Sequence, residues 1–208
     1  MAMNLRGGIT LVQYRNSILK EVVRKSIHIC SSFVPFFLSV AYIPTLIFLM
    51  VALVIYCLSE SLRVHGIEVP LVAKITAVAA RRRDENQFVK GPITLVLGII
   101  GCALLWHPQA ATAIGIYALA FGDGFASLFG KLFGRVHIPW TKGKTVVGSL
   151  VCFFAVFVSS FLVCHNTLYA YMLAFIAMII EVLPLGDFDN ILIPIIVGGI
   201  AEKMLLIL

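Results

Sequence analysis

Residues 121–134 read FGDGFASLFGKLFG, and the spacing inside this stretch decides the fold. Asp123, Ser127 and Lys131 recur every four positions, with Arg135 one step further, so on a helix they form one polar line. Gly122, Ala126, Gly130 and Gly134 form a second line, of small residues, beside it. Small residues at this spacing let helices in a bilayer approach closely, where van der Waals contact drives association. The spacing therefore predicts a membrane helix with a packing face next to a face of acid, hydroxyl and cations. An ionisable side chain at bilayer depth costs about 2.5–3.5 kcal/mol on insertion scales, so Asp123 needs a partner and marks a functional position.

The composition points to the same solvent. Of the 208 residues 61% are hydrophobic and 12% are charged, and the mean hydropathy is +1.03. A soluble domain carries about a quarter charged residues, twice what this chain can offer water. The expected fold is all-α: a single membrane-embedded domain over 1–208, a polytopic transmembrane helix bundle of about seven spans. Those spans fall near 26–40, 42–60, 92–107, 110–130, 145–163, 167–184 and 190–207. The stretch 67–80 contains Lys74 and runs into Arg81-Arg82-Arg83, so it reads as an interfacial helix with a lipid-anchoring basic end.

The formal charge of +6 does not indicate nucleic-acid binding, because Lys and Arg are confined to connectors between apolar runs. One set of connectors holds the N-terminal basic residues, Arg63 to Lys90, and Lys131 to Lys144. The opposite set, at Ala41-Tyr42, His107-Pro108-Gln109 and His165-Asn166, holds no Lys or Arg. The positive-inside rule then puts the N-terminus in the cytoplasm, with residues 1–25 a retained basic interfacial segment rather than a cleaved signal. Five cysteines, Cys30, Cys57, Cys102, Cys152 and Cys164, lie in or beside apolar stretches without a CxxC pair, and read as inert buried thiols.

The connector after the polar helix continues its theme, with Lys142, Lys144, Thr145, Gly148 and Ser149. Cations, hydroxyls and glycine backbone at close range suit a polyphosphate, and a carboxylate beside them suits a Mg²⁺ that bridges phosphate oxygens. The order is not that of a Walker A loop. Near the C-terminus Glu181 precedes GDFDNILIP, which contains Asp189 and Asn190. These groups fall on the cytoplasmic side of the predicted topology.

FGDGFASLFGKLFG followed by TKGKTVVGS resembles the GDG, GK.FG and KT.EGS signature of the CTP-dependent lipid-alcohol kinases. That family includes dolichol and polyprenol kinase, phytol kinase and the CTP-using diacylglycerol kinase, and is distantly similar to phosphatidate cytidylyltransferases. RKSIH (Arg24, Lys25, His28) and ESLR (Glu60, Arg63) fit the family's order, as does the Glu181 to Asn190 segment, so the resemblance spans nearly the whole chain. One departure is Val147, where the family commonly has a glutamate.

The resemblance implies transfer of the γ-phosphate of CTP to the hydroxyl of a diacylglycerol or polyprenol-type alcohol, giving a lipid monophosphate and CDP, with Mg²⁺. It implies catalytic roles for Asp123 and Lys131, and nucleotide or phosphate binding by Gly122, Gly124, Ser127, Lys142, Lys144, Thr145, Gly148, Ser149 and Asn190. Asp123 and Asp189 would hold the metal; Asp123 could instead accept the hydroxyl proton. Arg24, Lys25, His28, Glu60, Arg63 and Glu181 would meet the lipid headgroup or a phosphate, although Glu60 and Arg63, a helical turn apart, could simply pair with each other. The expected setting is a prokaryotic cytoplasmic membrane with the site facing the cytoplasm. The small-residue stripe could serve within one subunit or between two. Two rival readings are a phosphatidate cytidylyltransferase, which would release pyrophosphate, and a small proton-coupled transporter using Asp123 and Glu181.

Overall fold

Proline and capping residues decide where the helices start. In the computed structural model, which describes residues 4–5, 9–67, 87–107, 109–141 and 143–207, helix α1 runs Leu11–Cys30. A 3-10 turn at Ser31–Phe33 separates it from α2, Val34–Val40, which has Pro35 in its first turn. Proline has no N–H to donate, so it fits a first turn, where that donor has no intrahelical partner, and disrupts a helix interior. The expected single span over 26–40 is therefore two helices meeting at a turn. Of the expected basic segment, residues 11–25 belong to α1, which carries Lys20, Arg24, Lys25 and His28 on one continuous helix.

Helix α3 covers Tyr42–Val64. Helix α4, Gly91–Leu105, again has a proline in its first turn. Helix α5, Gln109–Phe133, is interrupted by a π-helical segment at Ala118–Asp123. Helices α6 (Val146–Cys164), α7 (Thr167–Val182) and α8 (Asp189–Leu205) complete the chain. Thr145 caps α6 by accepting from Gly148 N, and Asn166 caps α7 by accepting from Tyr169 N. Among the described residues the only non-helical pairing is the two-residue ladder of Asn4–Leu5 with Ile9–Thr10 and a bridge between His137 and Thr145. The interfacial helix expected over 67–80 and the Arg81-Arg82-Arg83 run lie, apart from Ile67, outside the described residues.

Among the described residues three helices, α3, α5 and α6, are long and apolar enough to cross a membrane, and α4 and α7 are shorter apolar helices. They differ in what they touch. The most apolar window of α3 is only 17% buried, whereas that of α5 is 67% buried, so α5 is the central helix and α3 a peripheral one. Helix α8 packs against α4, α5 and α7, and α6 packs against α5 and α7. Ile99, Ile114, Leu119, Leu173, Ile193 and Val197 fill the core between them. Pro194 inside α8 cannot donate to the carbonyl of Asn190, and Gly98 of α4 leaves room for that same carbonyl.

The line of small residues on α5 is its contact with α6. A methyl carbon at Gly122 would lie 2.7 Å from Val156 Cγ2, and one at Gly130 would lie 2.8 Å from Thr145 Oγ1. From the other side, one at Gly148 would lie 2.8 Å from the carbonyl of Ala126. The stripe therefore serves helix packing within one chain. It also fixes the start of α6 against the polar face of α5.

Candidate active site

Helix α1 packs along the second half of α5 and delivers two basic side chains to Asp123. Lys25 Nζ donates to Asp123 Oδ2, and His28 Nδ1 lies 3.3 Å from the same oxygen. Ser127, one turn along α5, donates to Asp123 Oδ1 at 3.5 Å. Lys25, His28 and Asp123 are all buried. A buried carboxylate is tolerated when opposite charge and hydrogen bonds surround it, which α1 supplies. Asp123 ends the π-helical segment, an irregularity that often re-aims side chains at functional positions.

Beside this pair lies a cavity of about 530 Å³, within the range of small-molecule sites. Arg24 and Glu21 come from α1, and Asp123, Ser127 and Lys131 from α5. The connector contributes His137, Thr141, Gly143, Lys144 and Thr145, while Gly148, Glu181 and Asp189 come from the ends of α6, α7 and α8. Helices α6 and α8 begin at this cavity, so their free N–H groups and positive dipole ends favour an anion there.

The connector is a short hairpin. Ile138 N donates to Lys144 O at 2.9 Å, Val146 N to Val136 O at 3.1 Å, and Thr141 Oγ1 to Ile138 O at 2.7 Å. Gly143, with φ +100°, occupies backbone space that a side chain would strain. This geometry turns Lys144 inward, where Nζ donates to Glu181 Oε1 at 2.7 Å and lies 3.7 Å from Asp189 Oδ2. Burial alone would lower the proton affinity of Lys144, but Glu181, Asp123 and Asp189 outweigh it and hold the ammonium above its ordinary pKa. Ser149 Oγ reaches Glu181 Oε2 at 3.4 Å.

At the rim, Glu21 pairs with Arg24 on its own helix and lies 3.5 Å from Lys131 Nζ, which also donates to the carbonyl of Ser17 at 2.8 Å. Among the described residues four cations (Arg24, Lys25, Lys131 and Lys144) thus face four carboxylates (Glu21, Asp123, Glu181 and Asp189). These charges balance one another.

The donor set bears on Mg²⁺. Among the described residues no three His, Cys, Asp or Glu side chains form a metal cluster. Glu181 and Asp189 nonetheless share Lys144, and Mg²⁺ commonly takes only one or two protein carboxylates, completing its shell with phosphate and water. The residues fit a cation that arrives with a phosphate rather than one caged by protein.

Not every predicted site residue lies here. Glu60, wholly buried at the end of α3, accepts from Val89 N at 2.8 Å and from Arg63 at 2.7 Å; Arg63 also donates to Gln87 O at 2.7 Å. This pair clamps the chain entering α4 and does not line the cavity. Gly122 and Gly124 pack against α6 and Ile29, and Asn190 Nδ2 donates to Thr94 Oγ1 at 3.0 Å. Arg135 falls beyond the end of α5 at Phe133 and is exposed, so it is off the polar line. Lys142 lies outside the described residues. Conversely, Glu21, His137 and Thr141 line the cavity without having been singled out from the sequence. For Glu21 a signal existed: it is the single acid among residues 1–25, one turn before Arg24.

Known proteins similar to this chain carry kinase names. A soybean protein named probable phytol kinase 1, chloroplastic, is 26% identical over 95% of this chain and 73% of its own length. Phytol kinase 1, chloroplastic, of Arabidopsis thaliana is 26% identical over 64% of this chain and 49% of its own length. Farnesol kinase, chloroplastic, of the same plant is 32% identical over 34% of this chain and 24% of its own length. No family model and no solved structure matches the chain.

Proposed function

We propose that this chain, a homologue of plant phytol and farnesol kinases, is a lipid-alcohol kinase that moves the γ-phosphate of CTP to a membrane alcohol and releases CDP. The observation that carries the reading is the cavity that Asp123, Ser127, Lys131, Lys144, Thr145, Glu181 and Asp189 line together. The names of the relatives support a kinase and an alcohol acceptor, and favour an isoprenoid alcohol over diacylglycerol. CTP as donor rests on the resemblance carried by the GDG, GK.FG and KT..GS motifs.

Phosphoryl transfer asks the protein mainly for positioning and charge stabilisation. Lys131 and Lys144 neutralise the triphosphate, together with Lys142 of the same motif, and Ser127, Thr145 and the Gly148 backbone bind phosphate oxygens. Asp123 Oδ2 is engaged by Lys25 and His28, so Oδ1 orients the acceptor hydroxyl and takes its proton. Glu181 and Asp189 would hold Mg²⁺, which supplies charge neutralisation to the phosphates.

The expected seven spans with a cytoplasmic N-terminus would place this cavity at the headgroup level of the inner leaflet, where a lipid hydroxyl and a soluble nucleotide meet. The relatives are named as chloroplastic plant proteins, so they lend no support to a prokaryotic cytoplasmic membrane. None of these relatives is named a cytidylyltransferase or a transporter. Lys144, Glu181 and Asp189 lie at or beside helix ends, which also differs from the midplane site that alternating access needs. Purified protein given CTP, Mg²⁺ and phytol or farnesol should release CDP in step with alcohol consumed. Release of pyrophosphate on addition of phosphatidate would instead support a cytidylyltransferase.

A further inference from the structure

Glu21 is the one cavity carboxylate that lies between two cations at the rim rather than deep among the helices. Its side chain is 12% exposed, one oxygen engages Arg24, and the other lies 3.5 Å from Lys131 Nζ. Arg24 Nε is buried with no hydrogen-bond partner. A guanidinium fork beside an ammonium is the arrangement that recognises a phosphate, which offers three oxygens where a carboxylate offers two. Glu21 meets the fork only in part.

We propose that Arg24 and Lys131 form an anion subsite for a terminal phosphate group, and that Glu21 is its resident competitor, displaced when the phosphate arrives. The proposal rests on the kinase reading only for the source of that phosphate, which could belong to a nucleotide or to a phosphorylated lipid. Displacement has a direct electrostatic logic. An incoming dianion meets Glu21 as a like charge and Arg24 and Lys131 as cations already occupied. Moving Glu21 aside turns two compensated cations into two available ones. It also loosens the tie between α1 and α5, because Glu21 and Ser17 are where α1 holds Lys131. Phosphate binding and the seating of α1 at the rim are thereby coupled.

Isothermal calorimetry on the full chain in detergent tests this with two probes, inorganic pyrophosphate and farnesyl monophosphate, neither of which requires turnover. Glu21→Gln should bind at least one of them about three- to tenfold more tightly than the wild type. Lys131→Gln should weaken that same probe, and Glu21→Gln/Lys131→Gln should lose the gain. Tightening toward pyrophosphate alone marks a nucleotide subsite, and tightening toward farnesyl monophosphate alone marks a lipid-phosphate subsite. Unchanged or weaker binding of both probes by Glu21→Gln, in protein that melts within a few degrees of wild type, would overturn the proposal. Should Glu21→Gln melt far lower, Glu21→Asp takes its place: the shorter carboxylate must also tighten binding, and failure to do so overturns the proposal equally. A chain that binds pyrophosphate more tightly as Glu21→Gln yet phosphorylates no alcohol would retain this subsite and lose the kinase reading.

Discussion

Lys25 and Asp123 are 98 residues apart in the chain and form a buried ion pair, Nζ donating to Oδ2. The pair ties α1 to the centre of α5 and occupies one carboxylate oxygen, leaving the other directed toward Ser127. Structure and chemistry therefore meet in the same side chain and need separating by experiment.

Removing Lys25 alone should be costly for folding, because it strands a buried carboxylate. Lys25→Met should lower stability by about 3–5 kcal/mol, and Lys25→Met/Asp123→Asn should recover most of that loss. Activity should not recover in the double variant. Thermal unfolding in detergent, read beside turnover, gives both quantities. Equal stability of the single and double variants would contradict a charge-based pair.

Lys144 is held above its ordinary pKa by Glu181, Asp123 and Asp189. A raised pKa stabilises the fold fully below the unfolded-state value near 10.5 and loses that contribution as pH rises through the folded-state value. The difference in melting temperature between wild type and Lys144→Met should therefore be flat from about pH 6 to 9 and shrink above about pH 10.5. A difference that already shrinks near neutral pH would mean the ammonium is not so held.

Gly148 and Gly130 set the distance between α5 and α6. A methyl group at Gly148 would meet the carbonyl of Ala126 at 2.8 Å, so Gly148→Ala should destabilise by about 1–3 kcal/mol through overpacking. Gly91→Ala, with nothing within 4 Å of the new carbon, is the control and should be close to neutral. Matching melts for the two variants would show that α5 and α6 do not touch as described.

Glu60 and Arg63 supply the opposite test. Both are legible in the sequence as candidate site residues, but the structure uses them to clamp Val89 and Gln87. Glu60→Gln should lower the melting temperature while leaving the KM for nucleotide unchanged within about twofold. A large rise in that KM with an unchanged melt would return them to the binding site.

What can be seen in the sequence is what short-range spacing encodes. The i, i+4 lines on α5 are visible because a helix repeats locally, and the close packing against α6 follows from the missing side chains at Gly122, Gly130 and Gly148. The helical stretches are visible because apolar runs end at Pro, Asn, Gly and charged connectors. Hidden features depend on contacts between distant elements. Nothing local says that α1 crosses α5 so that Lys25 reaches Asp123, or that the hairpin turns Lys144 between Glu181 and Asp189. The break at Ser31–Phe33 escapes a reading that counts Pro35 inside a span instead of at the start of a new helix. Arg135 joins the polar line on paper because helical spacing carries no information about where the helix stops.

The most direct test is transfer of label from γ-labelled CTP or ATP, with Mg²⁺, to a panel of phytol, farnesol, undecaprenol, dolichol and diacylglycerol by the detergent-purified chain, with Asp123→Asn as the blank. The account predicts label in an isoprenoid alcohol, from CTP in preference to ATP, falling about 10²–10⁴-fold in the blank. Label in no lipid, or equal label with Asp123→Asn, would contradict it.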